Sequence, residues 1–406
     1  MKKSNKKEVA PIVDSRSGSG EMNDYYEAIS ERCGIFQVIL YFLLLAFVAL
    51  SLISNTDRIT YQNFYYFVKD LGAMAEQVDV LHTDSLSYPT DASQSFSLYR
   101  KGLAVAGNNS VTLFTANGRE IFSKNIRYQN PVAMGSGKYL LVYELGGTQY
   151  SLYNSYTQIH TGRTNAPIRG AAISSSGVYA ILTQTAQSPS VVELYDSDFA
   201  ILNRYTYSSY VGDMAISEKG SYLAVVLSAT DNGSFYNLLR VYEPGKTEIY
   251  SEARFGNGMA HSLSFTDSGD LVTLCSGGVC FASPKGKILA EYSFDGQVLQ
   301  CAEVGQWGCV AVLKKNRNSP ENTVIVFDKK GEVRYNETVD EPIGSASLYK
   351  STLFLKLSDG VARCDLASKT VQRISCETDY RAMLVVDEAN ILLCSSKKAV
   401  YYRFIK

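Results

Sequence analysis

The chain has 406 residues, 46% of them apolar and 19% charged, with a formal net charge of −1. That balance excludes a disordered chain, and it lacks the basic surface that nucleic-acid phosphates require. Three His and eight Cys leave few ligands for a metal, and there is a single Trp among 29 Tyr and 17 Phe. At about 150 residues per domain, length alone suggests two or three domains.

Residues 1–33 form a Ser-, Gly- and Lys-rich tail, expected to be disordered. Residues 34–54 read GIFQVILYFLLLAFVALSLIS, with Gln37 the only strongly polar residue before the serines. About 20 apolar residues at 1.5 Å each cross about 30 Å of hydrocarbon, so this stretch is expected to be a transmembrane helix. A cleaved signal peptide fits worse, because the preceding tail is long and the stretch exceeds the usual h-region. Lys2, Lys3, Lys6, Lys7, Arg16 and Arg32 favour a cytoplasmic tail, which places the remainder of the chain outside the membrane. Next to the membrane, Arg58 and Lys69 oppose that bias, and the reverse orientation is the alternative.

Over residues 57–76, Ile59, Phe64, Phe67, Leu71 and Met74 recur at helical spacing and predict a juxtamembrane amphipathic helix. Tyr61, Tyr65 and Tyr66 suit a headgroup-level aromatic belt, or the helix docks on the domain C-terminal to it.

Residues 77–406 carry repeats. A strand ending in an aromatic and a small or polar residue precedes a turn at Phe114-Thr115, Tyr195-Asp196, Tyr242-Glu243 and Phe327-Asp328. Weaker copies occur at Tyr153, Phe281, Cys364 and Tyr402, giving a spacing of about 41 residues, the length of a four-stranded propeller blade. A second marker is in phase with the first: Ile173 to Tyr179 (ISSSGVY), Ile216 to Tyr222 (ISEKGSY) and Phe265 to Leu271 (FTDSGDL). In each, Gly supplies the positive φ of a tight hairpin and a small polar residue steadies it. The expected fold is therefore all-β: a β-propeller of eight blades, with seven as the alternative, preceded by the two helices. Residues 381–406 hold only three strands, and Gln77 to His82 is the expected source of the fourth, closing the ring.

The ISxxGxY hairpin and the Tyr-Asp/Glu turn resemble those of WD40-like and YVTN-like propellers over roughly residues 80–406. The Trp-Asp dipeptide and Gly-His pair of WD40 repeats proper are absent. The order of tail, anchor, aromatic stretch (TYQNFYYFVKDL) and propeller resembles an uncharacterised family of single-pass bacterial membrane proteins, a domain of unknown function. No catalytic motif comes with that resemblance.

Aligning the inner strands puts Gln94, Asn130, Arg169, Gly212, His261, Gln300, Gly344 and Arg381 at the mouth of the central channel, with Asp213 one residue further in. Arg169, His261 and Arg381 are candidates to receive an anionic group and Asp213 to orient one of them; a solvated polar funnel is the alternative. Cys275 and Cys280 flank a predicted Gly277-Gly278 turn and are candidate disulfide partners, as are Cys301 and Cys309 across the next hairpin. The alternative is that all are small buried hydrophobes. Quinoprotein propellers repeat a Trp-containing motif, whereas Trp307 stands alone, and no GxGxxG, GKT/S or GxSxG run is present. Three glycosylation triplets, at Asn108, Asn232 and Asn336, are at chance frequency.

The expected function is a non-enzymatic binding or scaffold module at the outer face of the cytoplasmic membrane. It would use no cofactor and take the lipid bilayer and a protein or envelope polymer as partners. The alternative is an anchored enzyme or small-molecule sensor using the channel mouth.

Overall fold

A computed structural model describes residues 33–47, 85–376 and 379–404. The chain divides into two units, Met1–Gln77 and Val78–Lys406. In the first, residues 33–47 form a helix (α1) whose large apolar side chains, Ile35 to Phe47, are exposed. Its length is about 22 Å at 1.5 Å per residue. Among the described residues no helix is long and apolar enough to cross a membrane. The span expected over residues 34–54 is thus seen as a helix only to Phe47. Residues 48–54, residues 1–32 of the tail and the juxtamembrane helix predicted over 57–76 lie outside the described residues.

In the second unit, strands β1–β32 form eight antiparallel sheets of four, as the repeat count predicts. Blade one is β2–β5 (residues 94–125), blade two β6–β9 (131–163) and blade three β10–β13 (168–207). Blade four is β14–β17 (211–255), blade five β18–β21 (260–293), blade six β22–β25 (298–339) and blade seven β26–β29 (345–375). Blade eight is β30–β32 (382–403) with β1 (Ser85–Ser87) on its outer edge. The first strand of each blade packs against the first strand of the next, and β30 returns to β2, so the ring is closed.

The middle strands explain why the ring is stable. Leu140 and Val142 of β7 enter the core between blades one and two, while Leu141 and Tyr143 enter the core between blades two and three. A strand buried on both faces must read as a continuous apolar run, hence YLLVY, LAVVL and GCVAVL. Eight such cores occur, one at each interface between successive blades. The outermost strands alternate instead, as in β13, where every second residue from Asn203 to Tyr207 is buried.

Both repeat markers fall on one face. The ISSSG-type turns join first and second strands, with φ of 93° at Gly177, 71° at Gly220 and 85° at Gly269. The Tyr-Asp turns join third and fourth strands; Asp196 and Asp328 each accept two backbone N–H groups within their own turn. The opposite face, the mouth, carries the second-to-third-strand turns and the loops between blades.

Two expectations need correction. The closing strand is Ser85–Ser87, paired with Val400, Ala399 and Lys398, and not residues 77–82, which lie outside the described residues. Leu86 is its buried residue, 2% exposed, packed with Leu392, Cys394 and Ala399. The second correction is to the cysteine registers. Cys275 pairs with Gly278 and Cys280 with Thr273, so the turn is Ser276-Gly277 and the two cysteines are diagonal neighbours. Diagonal pairs lie about 7–8 Å apart, whereas a disulfide needs Cβ atoms about 3.8 Å apart. Cys301 pairs with Val312 and packs between blades six and seven; Cys309 pairs with Val304 and packs between blades five and six. The last two thus occupy opposite faces of one sheet, and all four cysteines are free thiols.

Candidate protein-binding face at the channel mouth

The inner strands of blades three to six share one irregularity. Register shifts occur between Ile168 and Gly170, Val211 and Asp213, Ala260 and Ser262, and Leu299 and Cys301. The bulged residues are therefore Arg169, Gly212, His261 and Gln300, four of the eight positions that sequence alignment placed at the mouth. A bulge turns its side chain out of the regular alternation and is common beside binding sites. Blade eight has no such bulge: Arg381 precedes β30 and donates its backbone N–H to Cys394 O at 2.8 Å.

Arg169, Asp213, His261 and Arg381 form no hydrogen bond or ion pair with one another. Arg169 Nε donates to Gln184 Oε1 at 3.0 Å. His261 borders a cavity of about 500 Å³ with Ser262, Gln300 and Glu303, and burial lowers its pKa, so it is not a strong cation near neutrality. Asp213 is engaged by backbone: its Oδ2 accepts the N–H of Leu263 on β18 at 2.8 Å. Burial raises its pKa to about 6, against the pull of the Leu263 and Met214 N–H groups.

This contact belongs to a set. The free edge of an inner strand presents unpaired N–H groups, and side chains from the preceding blade accept them. Ser95 Oγ takes Ala133 N at 3.0 Å, Ser97 Oγ takes Gly135 N at 2.9 Å, and Glu303 Oε2 takes Leu348 N at 3.3 Å. Burial next to Asp213 pushes the Tyr143 phenol up to about 12, against the pull of the nearby Ala171 N–H. Glu303 is reached by channel water yet enclosed by the inner strands, and that enclosure raises its pKa. Sequence reasoning passed over Glu303 and Tyr143. The lone acid of β22, in a strand whose other polar side chain is Gln300, was the available signal for the first.

The mouth face also carries an apolar rim. Outside α1, the exposed large apolar residues among the described residues fall into two groups. One is scattered along outermost strands: Ile201, Leu202, Ile249, Tyr250, Leu289, Val333 and Val371. The other follows the mouth from blade two to blade six: Leu145 (41% exposed), Tyr210 (63%), Phe235 (41%), Met259 (59%) and Val298 (36%).

The backbone under the rim is fixed. Leu145 N donates to Asn130 O at 2.8 Å, Tyr210 O accepts Ser228 N at 3.0 Å, and Met259 O accepts Ser276 N at 2.9 Å. Phe235 sits on a long hairpin: β15 and β16 have nine residues each, against five to seven for the second strands of the other blades. Asn232 (φ 48°) and Gly233 (φ 82°) make its turn. Arg254 lies 3.5 Å over the Tyr236 ring and 3.5 Å from Asp231, bracing the hairpin. An apolar rim on rigid loops, interspersed with Arg and Tyr, has the composition of protein-binding hot spots.

Among solved structures, the fold is similar to that of Sqt1 from Saccharomyces cerevisiae, with a TM-score of 0.59 and 10% identity over 79% of this chain and 98% of that one. It is similar to Sqt1 from Chaetomium thermophilum bound to the N-terminus of the ribosomal protein L10, with a TM-score of 0.54, 12% identity, and 79% and 98% coverage. BamB from Moraxella catarrhalis gives a TM-score of 0.51, 10% identity, and 79% and 99% coverage. At such identities the likeness shows the fold alone, a WD40-like eight-bladed propeller. Comparison with curated proteins gives no match. The model of DUF5711, a family of unknown function, matches residues 77–401, and the chain belongs to that family.

Proposed function

We propose that this chain is a non-enzymatic binding module, held at the outer face of the cytoplasmic membrane by residues 34–54, which captures a protein on the mouth face of its propeller. The apolar rim of Leu145, Tyr210, Phe235 and Met259 carries this reading. All four keep 41–63% of their surface in water, and a partner that covers them gains the burial of that apolar area. Chaetomium Sqt1, of similar fold, holds the N-terminus of another protein, which supports protein capture as a use of such a ring. The apolar composition of residues 34–54 supports the membrane address.

The test is cross-linking of the full chain in intact membranes, with identification of what it captures. The substitutions Tyr210→Ala and Met259→Ala are each expected to weaken capture about tenfold, as hot-spot truncations do, with unchanged thermal stability. Capture that both variants leave intact would refute the mouth-face assignment. The cavity beside His261 favours a second reading, a small ligand at the mouth. In that case His261→Ala and Gln300→Ala abolish ligand binding while protein capture persists.

A further inference from the structure

The one Trp of the chain has no place in the mouth. Trp307 lies at the far face, in the two-residue turn Gln306-Trp307 that joins β22 and β23, where Gly305 pairs with Gly308. The turn is tightly held: Gly308 has φ 122°, and a Cβ there would come within 2.2 Å of Phe327 O. Asp267 N donates to Gln306 O at 2.9 Å. The indole packs against Tyr349, ring centroids 5.5 Å apart, and Lys329 Nζ lies 5.2 Å over it.

Trp307 forms one wall of a groove of about 790 Å³ between blades six and seven. Leu348 and Leu366, both half-buried, line it with apolar surface. Its charge is asymmetric: Lys329, Lys330, Arg334 and Lys350 border it, against Asp328 and Glu332. Arg334 is taken by those two acids, Lys329 by Asp267, and Lys350 by Glu388 at 3.0 Å. Lys330 Nζ makes no ion pair among the described residues. Trp307 Nε1 is buried and its N–H has no acceptor among the described residues. A buried donor without an acceptor is rare and calls for an explanation.

We propose that this groove is a second binding site, for an extended protein segment in which apolar residues are flanked by acidic ones. An apolar side chain of the segment rests on Leu348 and Leu366 against the indole face. A carboxylate of the segment pairs with Lys330. This site is independent of the mouth face, being built from the turns at the opposite end of the blades.

Because Trp307 is the only tryptophan, indole emission of the full chain reports on this groove alone. The probe is a synthetic octapeptide of alternating glutamate and leucine, with a lysine–leucine octapeptide as control. The acidic peptide is expected to change the emission saturably, with weaker binding as salt is raised. Lys330→Glu, at an exposed position, is expected to reduce affinity by at least about tenfold with unchanged melting temperature; Leu366→Ala, which also trims the core between blades six and seven, is expected to reduce affinity about as much with a lowered melting temperature. Tyr210→Ala on the mouth face leaves the titration unaltered, so failure of one site does not conceal the other. The assignment is overturned by an absent or non-saturable response, by equal binding of the lysine–leucine peptide, or by full affinity in both variants. A response to anionic phospholipid vesicles without one to the peptide also overturns it.

Discussion

Asp213 shows how a single side chain joins electrostatics to architecture. It stitches blade four to blade five through the Leu263 N–H, in surroundings that disfavour its charge. Burial raises its pKa from 3.8 to about 6, so the folded chain holds the proton more tightly than the unfolded one. Its contribution to stability is fully present below about pH 4 and is lost as pH rises through about 6. Asp213→Asn, which keeps an oxygen for the Leu263 N–H, should remove that slope and match or exceed the parent chain in stability at pH 7. Asp213→Ala leaves the N–H unpaired and should be less stable than Asp213→Asn by about 1–3 kcal/mol. Urea midpoints between pH 4 and pH 7 check both, and identical pH profiles for parent and Asn variant would contradict the assignment. Glu303 adds a slope of the same sign, while burial of His160 and His261 lowers their pKa values and gives the opposite sign. The informative quantity is therefore the difference between variant and parent.

At the scale of elements, the ring depends on the three-residue strand β1, which brings the beginning of the propeller to the outer edge of its last blade. Leu86→Ala removes its one buried side chain and should cost about 2–4 kcal/mol, within the range of large-to-small core changes. Ser87→Ala on the exposed side should leave stability nearly unchanged, and equal midpoints for the two variants would refute the closure role. The sequence pointed to residues 77–82 by their place just ahead of the first blade, whereas Ser85-Leu86-Ser87 offers one apolar residue to read. The Cys275 hairpin was misread for a different reason. Gly278 looked like a turn residue but lies in a strand, where a Cβ would come within 2.2 Å of Tyr292 O. Glycine serves both a turn and a close approach, and spacing does not separate the two uses.

For the molecule as a whole, the two faces of the propeller differ in origin. The far face carries the repeated turns, which is why the repeat was legible; the mouth face carries the connections that do not repeat, which is where its exposed apolar rim arises. The proposed topology sets the mouth face outside a membrane, anchored through residues 34–54. Added protease should then remove a C-terminal epitope tag from intact cells expressing the chain, and carbonate washing should leave the chain in the membrane fraction. A tag protected until lysis, or release by carbonate, would count against that topology.

The sequence by itself determined the blade repeat and the apolar segment ahead of it, because these depend on local periodicity and on turns requiring glycine. It left seven blades open beside eight, a choice that the eight sheets decide. Bulge positions in blades three to six were legible only as an alignment of inner strands, without the bulges that make Arg169 and His261 distinctive. Only the tertiary structure decided the Asp213 and Glu303 contacts, the cysteine registers, the apolar rim and the groove beside Trp307. Asp213 and Leu263 stand 50 positions apart, and Glu303 and Leu348 stand 45 apart, so no local pattern links them. The rim and the groove hold residues whose exposure is set by a neighbouring blade. A one-dimensional pattern records which residues can be buried, but the closure of the ring decides which of them remain in water.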